Sequence, residues 1–172
     1  MPEGIIICGG NGSGKTTLGR ELAAAIGYKH MDIEDYYFME ADIPYSRPRT
    51  RDEVIQLMLK DTEKYGHFII SAVNGDMGKE INSMYCCAVY LSAPKELRLE
   101  RVKRRAIDKF GDRVLPGGDM YEQEQLFFKI VLSHTTEQTK QWLKMLSCPV
   151  IYADGTREIS ENVMRIRDFL NI

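Results

Sequence analysis

The sequence lacks any long apolar run and carries almost no net charge. Its 172 residues contain no apolar stretch of the ~18 residues that a membrane-spanning helix needs. The 23 Lys and Arg residues nearly balance the 25 Asp and Glu residues, which leaves a formal charge of −2. A chain without a strong positive field has no global attraction for nucleic acid or for an anionic membrane. We therefore expect neither as a partner, and the immediate start of an apolar strand predicts no signal peptide.

Cysteine and histidine are also scarce. Cys8, Cys86, Cys87 and Cys148 fall in strand-like apolar runs, and the three histidines are scattered along the chain. The adjacent pair Cys86 and Cys87 does not have the spacing of zinc ligands. This pattern is typical of small core residues in a reduced protein. It predicts a cytoplasmic protein without a metal or redox site at these cysteines.

One glycine-rich segment dominates what is present. Residues 9–16 read GGNGSGKT, a G-x-x-x-x-G-K-T phosphate loop, between the apolar run 5–8 and a helix-forming stretch, 18–26. Glycines let the backbone close around an anion, and N–H groups at a helix start bind phosphate. Lys15 is predicted to reach the β- and γ-phosphates, and the Thr16 hydroxyl to bind Mg²⁺. The predicted ATP-binding residues here are Gly10, Asn11, Gly12, Ser13, Gly14, Lys15, Thr16 and Thr17.

Short apolar runs alternate with helical runs along the chain. We predict strands at 5–8, 30–32, 68–72, 86–91 and 150–153, and helices at 15–26, 51–65, 95–109, 121–146 and 159–170. This alternation predicts an α/β fold of one domain, residues 1–172, with a doubly wound, mainly parallel five-stranded sheet between two helical layers. Ligands of such sheets bind outside the carboxyl ends of the strands. The helix 121–146 is expected to pack on the sheet through Leu126, Ile130, Val131, Leu143 and Leu146.

The position of the acids distinguishes between classes of phosphate-loop protein. The N-K-x-D motif of GTPases is missing, and the runs 68–72 and 86–91 end without the carboxylate of large ATP-driven motors. Asp32, Glu34 and Asp35 instead follow the second strand. One carboxylate there can deprotonate an acceptor hydroxyl while another holds metal-bound water, which favours a small-molecule kinase. The same acids would also suit a solvated helix start.

The first half of the chain resembles the shikimate and gluconate kinase branch of the small P-loop kinases. The run GKTTLGRELA, residues 14–23, is similar to the start of those enzymes, and Asp32-Ile33-Glu34 falls where shikimate kinases carry D-x-D. The resemblance implies that Asp32 serves the magnesium ion and Glu34 the acceptor. Glu34 replaces an aspartate, and the turn 73–75 has one glycine where shikimate kinases have three. Shikimate itself is therefore not the predicted acceptor.

The second half resembles adenylate kinase. Residues 99–105, LERVKRR, are similar to the helix that enters that family's lid, and residues 153–156, ADGT, to its D-G-T turn. The resemblance implies that Arg101 stacks on adenine and that Arg105 faces the transferring phosphate. It also implies that the turn Asp154, Gly155 and Thr156 passes the adenine base.

A basic segment leads into a predicted lid. Between residues 95 and 113 the chain has eight Lys or Arg residues against four Asp or Glu residues, and FGDRVLPGG follows at 110–118. Gly and Pro permit a bend, so residues 110–118 are predicted to close over the site with Arg105 or Arg113 at the phosphate. The alternative is a solvated amphipathic helix.

A second insertion, residues 36–50, is predicted to fold over the acceptor. It contains two prolines and the arginines Arg47 and Arg49, and Arg51 follows directly. Because the planar fork of arginine suits carboxylates and phosphates, one or two of these arginines are predicted to bind an anionic group of the acceptor. The alternative is a surface loop paired with local acids. The predicted acceptor cleft contains Asp32, Glu34, Arg47, Arg51 and Asn74.

These observations predict an ATP-dependent phosphotransferase that uses Mg²⁺ and moves the γ-phosphate to a small-molecule hydroxyl or phosphate. The predicted catalytic residues are Lys15, Asp32, Glu34, Arg105 and Arg113, with Thr16 and Asp32 at the metal. Two alternatives stay open: a nucleoside or nucleotide kinase, and a nucleotide-binding regulator without a small-molecule acceptor. A monomer and a homodimer are both compatible with the sequence.

Overall fold

Five parallel strands form one sheet at the centre of the molecule. In this computed structural model, which describes residues 1–172, the strands are β1 (Glu3–Cys8), β2 (Lys29–Asp32), β3 (His67–Ala72), β4 (Tyr85–Ser92) and β5 (Val150–Asp154). Their order is β2-β3-β1-β4-β5, and every neighbouring pair is parallel. This arrangement confirms the predicted doubly wound sheet and places β1 in its middle.

Helices cover both faces of the sheet. They are α1 (Lys15–Ile26), α2 (Ile33–Tyr37), α3 (Arg51–Tyr65), α4 (Lys79–Asn82), α5 (Lys95–Phe110), α6 (Tyr121–Ser133), α7 (Glu137–Leu143) and α8 (Ile159–Leu170), with a 3₁₀ turn at Gly111–Val114. Successive side chains of β1 alternate between two cores. Ile5 belongs to the core that contains Leu22 of α1 and Ile166 of α8, and Ile6 to the core that contains Trp142 of α7. None of the helices combines the length and the apolar character needed to cross a bilayer.

The predicted start of α3 at Arg51 is confirmed, and a capping box explains it. The Thr50 hydroxyl accepts a hydrogen bond from the Glu53 backbone N–H at 3.3 Å, while the Glu53 carboxylate accepts one from the Thr50 N–H at 2.8 Å. This reciprocal pair satisfies donors that the first turn of a helix leaves free. Glu53 is thereby engaged in holding the helix that carries Arg51 to the site.

The predicted single helix over 121–146 is wrong. The chain leaves the helix at His134, whose ψ of 125° is extended, and α7 begins only at Glu137. The intervening Ser-His-Thr-Thr run consists of weak helix formers, and the Thr136 hydroxyl accepts a hydrogen bond from the Tyr90 hydroxyl at 2.8 Å. The break also redirects α6. Val131 and Leu143 are buried and Leu146 is partly buried as predicted, but Leu126 and Ile130 are exposed.

Candidate active site

The segment between β1 and α1 forms a cradle for an anion. Gly14, the N-cap of α1, has a φ of +102°, a left-handed conformation that side chains disfavour. The Ser13 N–H donates to the Gly10 carbonyl at 3.1 Å, and the Leu18 N–H donates to the Gly14 carbonyl at 2.9 Å. This turn presents the first N–H groups of α1 at the carboxyl edge of the central strand, where the helix dipole favours negative charge.

Lys15 is a buried cation at this cradle. Its ammonium donates to the Gly10 carbonyl at 3.0 Å, and the residue is only 9% exposed. Burial lowers the pKa of Lys15 to about 8, although the nearby carboxylates of Glu34 and Asp32 act in the opposite direction. An isolated buried ammonium is costly unless an opposite charge accompanies it. The site is therefore set up for an anion beside Lys15.

Thr16 and Asp32 place two oxygens beside the cradle. The Thr16 hydroxyl donates to one Asp32 carboxylate oxygen at 2.7 Å, and the other accepts from the Glu34 N–H at 3.1 Å as the cap of α2. Asp32 therefore caps α2, the alternative considered from the sequence, and is also bonded to Thr16, the loop residue predicted to bind Mg²⁺. No group of three or more His, Cys, Asp or Glu side chains is assembled for a metal ion. Two hard oxygens fit Mg²⁺, which takes its remaining ligands from phosphate and water.

A cavity of about 440 Å³ extends from the cradle to the end of β5. Predicted nucleotide-binding residues from three separate segments meet in its wall: Gly12, Gly14, Lys15, Thr16, Thr17, Arg101, Gly155 and Thr156. Arg105, which is predicted to face the transferring phosphate, lines the same wall. Asp154 lies behind the wall, where its carboxylate accepts hydrogen bonds from the Thr156 N–H at 2.9 Å and hydroxyl at 2.7 Å. These bonds hold the pKa of Asp154 below its usual value and fix the turn. Gly10, Asn11 and Ser13 form the back of the loop.

The turn after β5 packs directly on the phosphate loop. A Cβ atom on Gly155 would lie 2.6 Å from the Ser13 carbonyl oxygen and 2.9 Å from that of Ser92. Both distances are shorter than van der Waals contact, so a side chain here would push the two segments apart. Glycine at this position lets the far end of the cavity close on the loop.

Three arginines of α5 lie on the helix face next to the loop. Arg98 donates to the Asn11 carbonyl at 3.2 Å, and Arg101 donates to the Ser13 carbonyl at 3.4 Å. Arg105, one turn further, lines the cavity with its side chain exposed. Arg104 points elsewhere and forms an exposed ion pair with Glu100 at 2.6 Å. The spacing of three and four residues puts the first three arginines on one face.

The acceptor side is a separate cavity of about 480 Å³ that begins at Glu34. Arg51 and Asn74, both predicted for the acceptor, line it together with Phe38. Arg51 also donates to the Asp76 carbonyl at 3.0 Å. Arg47, from the same prediction, is exposed and is not part of this wall, and Asp32 lies on the loop side.

The predicted lid segment, residues 110–118, is tied to its surroundings. Arg113 forms two hydrogen bonds with the Asp119 carboxylate, at 2.7 and 2.9 Å, and donates to the Asp42 carbonyl at 3.0 Å. It does not line the cavity at the phosphate loop, whereas Arg105 does. Val114 is buried in a small apolar cluster with Met120. Of the two arginines proposed for the transferring phosphate, only Arg105 reaches the loop in this conformation.

A family model described as an AAA domain matches residues 5–114, well over half of the chain. The chain belongs to the AAA domain family. The match runs from β1 and the phosphate loop to the 3₁₀ turn after α5, and so includes Glu34 and the α5 arginines. In this AAA domain β3 ends in Ser71-Ala72 without a carboxylate, which leaves Asp32 of β2 as the acid paired with Thr16.

Individual relatives agree with the resemblance to small P-loop kinases, which is confirmed. The chain is 28% identical over 179 residues to a Bacillus subtilis (strain 168) protein called "Uncharacterized protein YqaC", covering 99% of each. It is 31% identical over 112 residues to shikimate kinase of Neisseria meningitidis serogroup C (strain 053442), covering 58% of this chain and 64% of that protein. The crystal structure of shikimate kinase from Bacteroides thetaiotaomicron superposes with a TM-score of 0.62 at 16% identity, covering 99% of each chain. At that identity the superposition establishes the fold.

Arg98 is the site residue that the sequence interpretation missed. Its guanidinium is buried, 8% exposed, against the outside of the phosphate loop. The spacing 98, 101, 105 along one helix was the signal that could have found it, because the two later positions were already predicted to face the nucleotide.

We expect Arg98→Ala to raise the KM for ATP about tenfold with little change in kcat. The loss of a charge-assisted hydrogen bond, about 1.5–3 kcal/mol, would loosen the loop without removing a group from the reaction. Steady-state kinetics at varied ATP concentration measures both constants. Arg104→Ala, on the exposed side of the same helix, is the matched control and should change neither. A fall in kcat with KM intact would assign Arg98 a direct catalytic role instead.

Proposed function

We propose that this protein transfers the γ-phosphate of ATP to a hydroxyl group of a small-molecule acceptor. The observation that supports this most is the position of Arg105, which lines both the cavity at the phosphate loop and a larger one of about 1150 Å³. The larger cavity also contains Thr16, Asp32 and Glu34. A phosphate-binding loop and a carboxylate that can act as base therefore open onto the same space, which is what transfer between two bound molecules requires.

The nucleotide would lie in the cavity between the phosphate loop and the turn at Gly155. Loop N–H groups and Lys15 bind the phosphates, while Arg101 and the turn provide surfaces for the adenine. Thr16 and Asp32 would hold Mg²⁺ through their adjacent oxygens. When bound, the ion neutralises phosphate charge and polarises the γ-phosphoryl group.

Glu34 is the proposed general base. The oxygen of the acceptor hydroxyl attacks the γ-phosphorus, and its proton passes to the Glu34 carboxylate. The bond between the γ-phosphorus and the β,γ-bridging oxygen breaks, so that ADP leaves with the bonding electrons. Lys15 and Arg105 stabilise the negative charge that builds on the transferring group and on the leaving oxygen.

Contacts between the insertion 36–50 and the region around the lid would help to exclude water from the transfer. Lys109 donates to the Tyr45 hydroxyl at 3.0 Å, and Gln123 donates to the Pro44 carbonyl at 3.1 Å. A third contact is the bond from Arg113 to the Asp42 carbonyl. Exclusion of water favours transfer to the acceptor over hydrolysis of ATP.

Arg51 and Asn74 are also proposed to bind an anionic group on acceptors that carry one. Arg51 and Asn74 flank Glu34 in the same cavity, so a carboxylate or phosphate placed there would leave a neighbouring hydroxyl at the base. Arg47 would contribute only if the insertion moved toward this cavity. An anionic substituent that fails to raise kcat/KM over a neutral acceptor with the same body would contradict this part of the proposal.

The test of the function is ADP release from Mg·ATP with and without a panel of small hydroxyl compounds. Acceptor-dependent release of at least about tenfold over the basal rate is expected of a kinase. A slow basal rate that no small molecule changes would contradict the proposal and favour a nucleotide-binding regulator. Nucleosides belong in the panel, because a nucleoside kinase differs from the main proposal only in its acceptor.

A further inference from the structure

A third cavity is lined by Glu34, and Arg51 is not part of its wall. It measures about 550 Å³ and lies between α5, α6 and the insertion 36–50. Eight of its 13 lining residues are hydrophobic. A volume of this size and an apolar wall with a few polar groups are typical of sites for small organic ligands.

This apolar cavity is continuous with the proposed reaction centre. Glu34 and Arg105 line it, and both also line the larger cavity that contains Thr16 and Asp32. A molecule bound here can therefore present a hydroxyl to Glu34 while its remaining atoms contact the apolar wall. The opposite side of Glu34, with Arg51, stays free for a charged substituent.

Helix α6 leaves its apolar side chains uncovered at this cavity. Leu126 and Ile130 were predicted to pack on the sheet, yet they are 60% and 52% exposed and line the cavity with Phe127. Covering the exposed part of each would contribute roughly half of the about 1.5–3 kcal/mol that full burial of such a side chain provides. Phe110 and Tyr45, in edge-to-face contact at 6.2 Å, line the cavity as well.

Glu124 provides the cavity with a polar group that has no partner. The residue is only 5% exposed, lines the cavity, and has no hydrogen bond or ion pair from its carboxylate. Burial raises the pKa of Glu124, while the charge of Arg105 opposes the shift. Because no protein group bonds to this carboxylate, its oxygens can accept a hydrogen bond from a molecule in the cavity. Next to it, Gln123 uses its amide N–H on the Pro44 carbonyl, which leaves its oxygen as an acceptor.

We propose that the phosphoryl acceptor has an apolar, ring-containing body that occupies this cavity and carries an N–H donor to the Glu124 carboxylate. Nucleosides and amino-substituted aromatic alcohols belong to this class, whereas polyols and hydroxy acids do not. The inference rests on the proposed function, because it places the hydroxyl of the same molecule at Glu34.

A matched acceptor panel tests the substrate class. Adenosine and purine riboside differ only in the amino group, as do 4-aminobenzyl alcohol and benzyl alcohol; gluconate, shikimate and glycerate represent the excluded class. Of the two amino compounds, the one with the higher kcat/KM should exceed its partner without the amino group about tenfold. The three hydroxy acids should have lower kcat/KM values than either. A hydroxy acid or polyol as the best acceptor, or equal values within both pairs, would overturn the proposal.

A substitution at Glu124 tests the contact itself. Glu124→Leu should raise the KM for the better of the two amino compounds about tenfold. The KM for ATP and the KM for the matching compound without the amino group should stay unchanged. Because no protein group bonds to the Glu124 carboxylate, its removal leaves no donor unpaired, so the variant should fold, and its unfolding curve verifies this. Glu122 is exposed on the same helix, so Glu122→Leu serves as the control. Equal losses for both members of the pair would overturn the role of Glu124.

A fluorescent probe tests the cavity without any turnover. Anilinonaphthalene sulfonate is an aromatic amine whose fluorescence increases in apolar surroundings. One molecule should bind per chain, both without nucleotide and in the presence of saturating Mg²⁺ and a non-hydrolysable ATP analogue. Leu126→Gln should weaken its binding about tenfold relative to Leu132→Gln, an exposed leucine of α6 outside the cavity wall. The proposal would be overturned if both variants bound the probe equally or if the ATP analogue displaced it. It would also be overturned if the wild type were a dimer that Leu126→Gln dissociates. Calorimetry measures binding of the ATP analogue at the nucleotide site. Failure of the proposed function can therefore be distinguished from failure of the proposal about the apolar cavity.

Discussion

Lys15→Met is expected to lower kcat/KM for phosphoryl transfer by about 10²–10³-fold, the usual effect of removing one donor to transition-state charge. The same substitution should stabilise the nucleotide-free protein at neutral pH. Burial lowers the pKa of Lys15 from 10.5 to about 8, so the folded protein holds the ammonium less well than the unfolded chain does. At about 1.4 kcal/mol per pKa unit the gain is at most about 3.5 kcal/mol.

The difference in stability between Lys15→Met and the wild type should depend on pH. The unfolded chain binds more protons than the folded protein between pH 8 and 10.5, so wild-type stability rises with pH across this window relative to the variant. The advantage of Lys15→Met should therefore be full below pH 8 and disappear above 10.5. Denaturant unfolding at several pH values measures it, and Lys60→Met, an exposed lysine of α3, is the control.

Saturating Mg·ATP should reverse the order of stabilities, because the nucleotide stabilises only the protein that binds it well. Full activity of Lys15→Met would remove the phosphate loop from the mechanism. A loss of stability in the nucleotide-free variant would show that Lys15 contributes to folding through its contact with the Gly10 carbonyl rather than being held for a ligand.

Glu34→Gln is expected to lower kcat by about 10²–10⁴-fold, the usual contribution of a general base. The amide keeps the size of the side chain and cannot accept the proton of the acceptor hydroxyl. The KM for ATP should stay within about twofold of the wild type, because Glu34 is not part of the wall around the nucleotide. Single-turnover kinetics with the best acceptor measures the chemical step directly.

Asp35→Asn is the matched control, since Asp35 is the next residue of α2 and is exposed. Asp32→Asn distinguishes the two candidate acids: it should raise the Mg²⁺ concentration needed for half-maximal rate, because Asp32 is bonded to Thr16. A larger fall in kcat for Asp32→Asn than for Glu34→Gln, at saturating Mg²⁺, would move the base to Asp32.

Local patterns were enough to predict the sheet and the phosphate loop. All five strands and the helices at 15–26, 51–65 and 159–170 lie where the sequence places them. The signals for these elements are short-range: apolar runs, glycines at the turns, and the capping pair Thr50 and Glu53. The order of the elements then predicts a doubly wound sheet, because parallel strands need helical crossovers.

Longer-range packing decided the second half of the site. Helical spacing predicted one helix over 121–146 but could not reveal that Thr136 would bond Tyr90 of β4 and interrupt it. The sequence also could not distinguish Arg113 from Arg105, because both are arginines in the same basic segment. In the structure Arg113 pairs with Asp119, whereas Arg105 lines the cavity. Such differences depend on neighbours that are remote in sequence.

The sequence alone determined that a phosphate loop follows the first strand and that acids follow the second, because both motifs are contiguous and depend on local backbone geometry. Only the tertiary structure decided what surrounds Glu34. The cavities on its two sides are formed by α3, α5, α6 and the insertion 36–50. The position of Glu124 in the cavity wall and the exposure of Leu126 beside it follow from how these distant segments pack, and no pattern within one segment contains that information.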